Sequence, residues 1–382
     1  MLTLLACIGI GSTLLIQYKR NLFYLANYQE ADALLKDSKY NEALEIFGNI
    51  YPKVKGEIQI EIVYKMGSCY QKTGRTDKAE ECWNKVLNSS YLSYRPFAYY
   101  ELAQQKLREG NFDQAESYYA NLTKEFPSHS LAEDAMLGPV DIYIAKGEIE
   151  ETKEYCEKII GSSNSPRIKE IAIDKLGDIN MKLLVSPTST KMSEVYSIKA
   201  GDTLSAIARK FNTTVALLEK SNQLKSSLIK PGQKIKVTAN KFSIVIDIKR
   251  NELFLNYDDK LFKRYKISSG ADDSSTPLGN FEIKEKIKDP AWYSTDNSDI
   301  IPPNSADNIL GSRWMGLWKS GTKTGYGIYE AIDPSDIGKH VTKGCIRMVK
   351  EDLEQLYDII TVRTSVKIVN SERENSLSGQ KL

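Results

Sequence analysis

Gly325 to Met348 reads GYGIYEAIDPSDIGKHVTKGCIRM, and the interpretation of this chain turns on that stretch. Cys345 stands there inside Thr342-Lys343-Gly344-Cys345-Ile346-Arg347, between two glycine-bearing segments. A cysteine so placed is either a nucleophile or one more small buried hydrophobe. Its surroundings decide. Upstream, Phe242, Ile244 and Ile246 alternate with polar residues, and Leu253 to Tyr257 follows the turn-like Arg250-Asn251, which predicts a hairpin. Tyr265 to Ser268 predicts a third strand, Asn280 to Ile283 another, Lys350 to Ile359 a helix, and Val366 to Val369 a closing strand. Short strands at this spacing predict a mostly β domain over 241–369, followed by a polar, disordered tail at 370–382.

Just before this domain lies a compact unit at 195–238. Val195 to Ile198 alternates like a strand, and Gly201-Asp202-Thr203 supplies a turn and a helix cap. Leu204, Ile207, Ala208 and Phe211 follow helical spacing, a second short helix runs near Val215 to Asn222, and Lys234 to Val237 returns as a strand. The order is strand, helix, helix, strand. Ser186-Pro187-Thr188-Ser189-Thr190, rich in turn formers, marks 186–194 as a linker.

Residues 21–185 repeat. Tyr40-x-x-Ala43, Thr76-x-x-Ala79, Phe112-x-x-Ala115 and Ile149-x-x-Thr152 recur at steps of 36, 36 and 37, with Gly74, Gly110 and Gly147 two residues before the last three starts. Such a period means stacked helix pairs, each unable to bury its apolar face alone. Small residues let the helices approach while aromatics fill the space, as in Tyr64-x-x-Gly67-x-x-Tyr70. The array is either a concave surface for a protein partner or a spacer. Cys69, Cys82 and Cys156 are expected to be packing residues, and His129 a surface residue at a helix start.

Composition excludes several classes. At 382 residues the chain is too long for one ordinary core, and 52 basic against 50 acidic residues give no reason to expect nucleic acid. The five cysteines are scattered and the two histidines, His129 and His340, are far apart, so no metal, cofactor or disulfide framework is expected. Leu2 to Ile16 is apolar and is followed by Lys19 and Arg20. At about 1.5 Å per residue it would span roughly 22 Å as a helix, short of the usual bilayer crossing. Residues 1–20 are thus a signal, a membrane anchor or a buried core helix, and only through them is membrane contact expected. As an anchor, the trailing basic pair favours the cytoplasmic side by the positive-inside rule.

The strings YSIKAGDTLSAIARKFNTTVALLEKSN and IKPGQKIKV resemble the LysM module, and the repeats resemble tetratricopeptide repeats, stretched beyond their usual length of about 34 residues. By resemblance the LysM segment binds N-acetylglucosamine-containing glycans such as peptidoglycan, in a shallow groove falling here on Gly201, Asp202, Thr203, Leu204, Asn222, Ile229 and Pro231. SSTPLGNFEI, Asn308 to Met315, Tyr326-Gly327-Ile328 and Gly344 to Met348 resemble the L,D-transpeptidase catalytic domain, which acts on peptidoglycan stem peptides. Two resemblances converge on one polymer and on the cell envelope.

The chemistry this implies is acyl transfer. The thiolate of Cys345 attacks a stem-peptide carbonyl and expels the terminal D-alanine, and the amine of another stem resolves the thioester into a crosslink. Water in place of the amine would make a carboxypeptidase. Backbone amides near Gly344 and Cys345 would hold the oxyanion, Arg347 a stem carboxylate, and Trp314 and Tyr326 the substrate. The family places histidines in Ile-His-Gly-Thr and Ser-His-Gly-Cys, where this chain has Tyr329 and Lys343. A free thiol is only about 3% thiolate at neutral pH, so an activating group matters. Lys343 offers a stabilising charge and His340 a displaced base. Without a base, the domain would be a wall-binding scaffold that retains the cysteine and has lost turnover.

Overall fold

A computed structural model describes residues 20, 22–271, 276–293, 299–303 and 305–370. The expected N-terminal segment, apart from Arg20, and the expected tail, apart from Asn370, lie outside the described residues. Among the described residues, no helix is long and apolar enough to cross a membrane. The chain forms two compact units, one of residues up to 155 with 163–168, the other of 156–162 with 169 onward.

The first unit is helical. Its helices are α1 (22–36), α2 (Tyr40–Ile50), α3 (Glu57–Lys72), α4 (Thr76–Leu87), α5 (Arg95–Arg108), α6 (Phe112–Glu125), α7 (Ser130–Ala135) and α8 (Gly138–Lys146). Tyr40, Thr76 and Phe112 open α2, α4 and α6, and Ile149 opens α9 (Ile149–Ser162), so the repeat period read from sequence is the spacing of helix starts. Ala43, Ala79 and Ala115 have no exposed surface, because the neighbouring helix packs onto each. Gly74, Gly110 and Gly147 all sit at φ +75°, the left-handed turn that ends a helix and that side chains with a Cβ resist. A Cβ on Gly67 would lie 2.5 Å from Nε1 of the fully buried Trp83, which explains the small residue there.

Cys69 and Cys82 are buried, and burial pushes their thiols up to about 11, consistent with packing. His129 differs from expectation. It is half-buried, its Nδ1 accepts the Leu131 N–H at 3.2 Å as the cap of α7, and its ring meets Phe97 edge-on at 5.2 Å. A capping histidine is drawn inward by the helix it starts.

In the second unit, β1 (Ser193–Ser197) and β2 (Lys234–Thr238) pair antiparallel around α11 (Leu204–Lys210) and α12 (Val215–Ser221). Ile198, Leu204, Ile207, Leu218, Ile235 and Val237 form this module's core. Thr203 and Thr214 cap the two helices by accepting the Ala206 and Leu217 amides.

The rest is a sheet of strands β3 (Phe242–Asp247), β4 (Glu252–Tyr257), β5 (Lys260–Lys266), β7 (Gly279–Lys288), β10 (Arg313–Lys319), β11 (Thr322–Glu330), β13 (Ile346–Met348) and β14 (Ser365–Val369). Their spatial order is β13-β11-β10-β7-β14-β3-β4-β5. Two small ribbons flank it, β6 (Ser269–Gly270) with β12 (His340–Thr342) and β8 (Trp292–Tyr293) with β9 (Ile300–Ile301). The β13–β11 and β14–β3 pairings are parallel and the other main-sheet pairings antiparallel. Helix α13 (Lys350–Ile359) buries Leu353, Leu356 and Ile359 against this sheet. The third strand starts five residues earlier than expected and breaks before β6, because Ile267 and Ser268 turn away to bond Asn251 and Arg347.

Helix α10 (Pro166–Leu184), expected within the repeats, has its 169–184 portion in this unit. Met181 and Leu184 join the core of the sheet. Asn180 Nδ2 donates to the Phe262 carbonyl at 2.9 Å, Asp178 pairs with Lys263 at 2.9 Å, and Asp174 takes two bonds from Arg264 at 3.0 and 2.7 Å. β5 is the last strand of the sheet, and the helix satisfies an edge that would otherwise invite pairing with another chain. From β2, the buried Lys236 donates to the Leu183 and Ser186 carbonyls at 2.7 and 2.9 Å, closing the C-terminal end of α10.

Candidate active site

Cys345 is half-buried in the turn between β12 and β13. Gly344 makes this turn at φ +100°, a backbone state that favours glycine. Thr342 ties the turn together: its Oγ1 donates to the Cys345 carbonyl at 2.6 Å and accepts the Gly344 N–H at 3.2 Å. The Gly344 amide, expected among the oxyanion donors, is therefore already engaged within the turn. An oxyanion would have to compete with Thr342 for it.

Parallel pairing of β11 with β13 sets Ile328 opposite Ile346 and Tyr329 opposite Arg347. This register carries the Gly327 N–H onto the Cys345 sulfur. Burial raises the thiol above its ordinary pKa, while the Gly327 amide and the Arg347 charge pull it back in part. The net shift is upward, so at neutral pH the group is a protonated thiol.

Tyr329 is buried, and burial raises its phenol too. Its oxygen accepts from Arg347 Nε at 3.0 Å, and Arg347 Nη1 reaches Asp336 at 3.4 Å. The guanidinium lies 5.6 Å from the centre of the Tyr329 ring, and the Trp314 ring packs on the same tyrosine at 6.0 Å. Trp314 is fixed in turn by donating Nε1 to Glu285 at 3.3 Å. Cys345, Tyr329, Arg347 and Trp314 thus form one cluster. Tyr326, half-buried, packs on the sheet core, and the Lys343 side chain is exposed.

His340 has both ring nitrogens engaged. Nδ1 lies 2.9 Å from Ser269 Oγ and Nε2 lies 3.2 Å from Asn251 Nδ2. Ser269 donates to Asn251 Oδ1 at 2.6 Å and Asn251 donates to the Gly338 carbonyl at 3.0 Å. With Ser269 donating to Asn251 and Asn251 donating through Nδ2, the matching roles are Nδ1 donating to Ser269 and Nε2 accepting from Asn251. In this arrangement His340 fastens β12 to β6 and to Asn251, whose φ of +50° turns the β3–β4 hairpin.

Gly327, Asp336, Asn251, Ser269 and Thr342 were not singled out as site residues from sequence. Gly327 was legible only through its glycine-bearing motif. Thr342 and Asp336 lie three and nine residues before Cys345, whereas Ser269 and Asn251, 76 and 94 residues before it, reach its loop only through the tertiary fold.

In the LysM-like module, Asp202 accepts from Tyr196 Oη and from the Lys199 amide, both at 2.8 Å, and Leu204 is core. Asn222 exchanges two bonds with the Lys236 backbone at 2.6 and 2.8 Å, pinning α12 to β2. Gly201, Thr203 and Pro231 are exposed and Ile229 is half-buried. Of the expected glycan groove, then, Asp202, Leu204, Asn222 and the α11 cap Thr203 hold the module together, Ile229 packs on its core, and Gly201 and Pro231 are exposed.

Comparison with known proteins agrees with this architecture. The L,D-transpeptidase catalytic domain matches residues 241–368, the LysM domain 196–238, and the tetratricopeptide repeat 61–90 and 97–129. The chain is similar to two Bacillus subtilis proteins named as L,D-transpeptidases. YqjB is 34% identical over 131 residues, 34% of this chain and 72% of that protein. YkuD is 30% identical over 179 residues, 45% of this chain and 97% of that protein. The N-acetylmuramoyl-L-alanine amidase sle1 of Staphylococcus epidermidis is 51% identical over 51 residues, 13% of this chain and 16% of the amidase.

Proposed function

The chain belongs to the L,D-transpeptidase family, and from that premise we propose that it is a peptidoglycan-bound protein of the cell envelope whose Cys345 takes an acyl group from stem peptides. The arrangement at Cys345 carries this reading. The sulfur is held between the Gly327 amide and the Arg347 charge, so negative charge gained as the proton leaves is met at once. The thiolate attacks the stem carbonyl, the C–N bond to the terminal residue breaks, and that residue departs with the sulfur's proton. An incoming amine then expels the thiol and closes a crosslink, or water does so and trims the stem. The LysM module supplies the polymer at high local concentration.

One observation favours a second reading, a wall-binding scaffold with little turnover. By the resemblance, the position of the family's base holds Tyr329, whose oxygen accepts from Arg347, and among the described residues no imidazole partners Cys345. Intact mass after incubation with a tetrapeptide stem or a carbapenem separates the readings. A stable adduct on the wild type that is absent from Cys345→Ala supports acyl transfer. A folded wild type that gains no mass sinks it and leaves the scaffold. The N-terminal apolar segment would keep the protein at the membrane, and the helical array would carry a protein partner.

A further inference from the structure

At the start of the helical array, a cavity of about 540 Å³ opens between α1, the end of α2 and the start of α3. Its floor is apolar: Ile50 and Ile62, both in the core of the first repeat, with Val54 and Ile58 beside them. Its rim carries Arg20, Lys53 and Lys55, and no acidic side chain lines it. All three cations are exposed, and none has an ion-pair or hydrogen-bond partner among the described residues. Other cations of this unit are paired within it: Lys65 with Asp32 and Glu61, Lys106 with Glu80 and Glu109, Arg167 with Asp134.

The outer side of the same helix is apolar where it meets water. Leu22, Phe23 and Leu25 are 48, 59 and 50% exposed, in the first turns after the basic pair that follows the apolar run 2–16. Leu25 also lines the cavity and Phe23 touches the Tyr24 ring at 5.8 Å, but none of the three joins the core that Tyr24, Tyr28 and Ala31 enter. A soluble acidic peptide would satisfy the three cations but leave these side chains in water. An anionic bilayer satisfies both, with phosphates against the cations and Leu22, Phe23 and Leu25 at the acyl boundary.

We propose that this end of the array is a docking site for anionic phospholipid, with the headgroup phosphate held by Arg20, Lys53 and Lys55. It is independent of the chemistry at Cys345. The test is flotation of the full chain with vesicles of phosphatidylcholine alone and of phosphatidylcholine mixed with phosphatidylglycerol. The apolar run alone would bind both kinds, so the readout is the preference for the anionic mixture. The wild type is expected to prefer the mixture by about ten-fold or more at low salt, and to lose that preference as salt screens the charges. The triple variant R20S/K53S/K55S, altered only at exposed side chains, should float equally with both. Circular dichroism confirms its fold. A wild type with no preference, a variant that keeps it, or displacement by polyglutamate without any dependence on lipid charge would each overturn the proposal.

Discussion

Three neighbours set the proton of Cys345: the surrounding protein raises the thiol pKa, while the Gly327 amide and Arg347 lower it. The rate of alkylation by iodoacetamide, followed by mass spectrometry, should therefore reach its midpoint at a higher pH than that of a free thiol, whose midpoint is about 8.5. Arg347→Met removes a stabilising cation and should push the inflection higher still. Tyr329→His places an imidazole where, by the sequence resemblance, the family carries its base. If Cys345 lacks only a proton acceptor, acylation by a stem peptide at neutral pH should rise by about 10²-fold in that variant. No change in rate would show that the barrier lies elsewhere in the site.

At the scale of elements, the loop carrying Cys345 is held by the Ser269–His340–Asn251 network and α10 is held by Lys236. Asn251→Ala leaves the Gly338 carbonyl and the buried Ser269 hydroxyl short of a partner, a cost of about 1–3 kcal/mol that thermal or denaturant unfolding would read. Burial draws the Lys236 ammonium down to about 8 in the folded protein, against an unfolded value near 10.4. Between those values the unfolded chain binds more protons, so stability from this group grows as pH rises through the window and is lost as pH falls through 8. The Tm of wild type relative to Lys236→Met should accordingly climb from pH 8 to 10. In the helical unit, Gly67→Ala should destabilise by about 1–3 kcal/mol despite alanine's better helix propensity, because its methyl meets the buried Trp83.

For the whole molecule, the joint presence of a glycan-binding module and a stem-peptide domain predicts that the full chain sediments with purified sacculi. Cys345→Ala should leave this unchanged, since the module and not the thiol holds the glycan. Digesting the glycan strands should release the protein. Sedimentation lost with Cys345→Ala would assign binding to the catalytic domain instead.

Much of this was readable along the chain. Helix starts at Tyr40, Thr76, Phe112 and Ile149 follow from a repeat that every turn of sequence restates, and α13 was expected at its observed bounds because its apolar spacing is local. The candidate site, Cys345 with Tyr329 and Lys343 where the resemblance leads one to expect histidines, was likewise a proposal from sequence. What only the tertiary structure decided was who faces whom. Asn251 and Ser269 reach His340, Gly327 reaches the thiol, and α10 covers the edge strand β5 within the same unit. Periodicity and propensity act over a few residues, and they determine which segments become helices and strands. Strand register and long-range burial join residues that the chain holds far apart, and those contacts determine whether the thiol at Cys345 has a base.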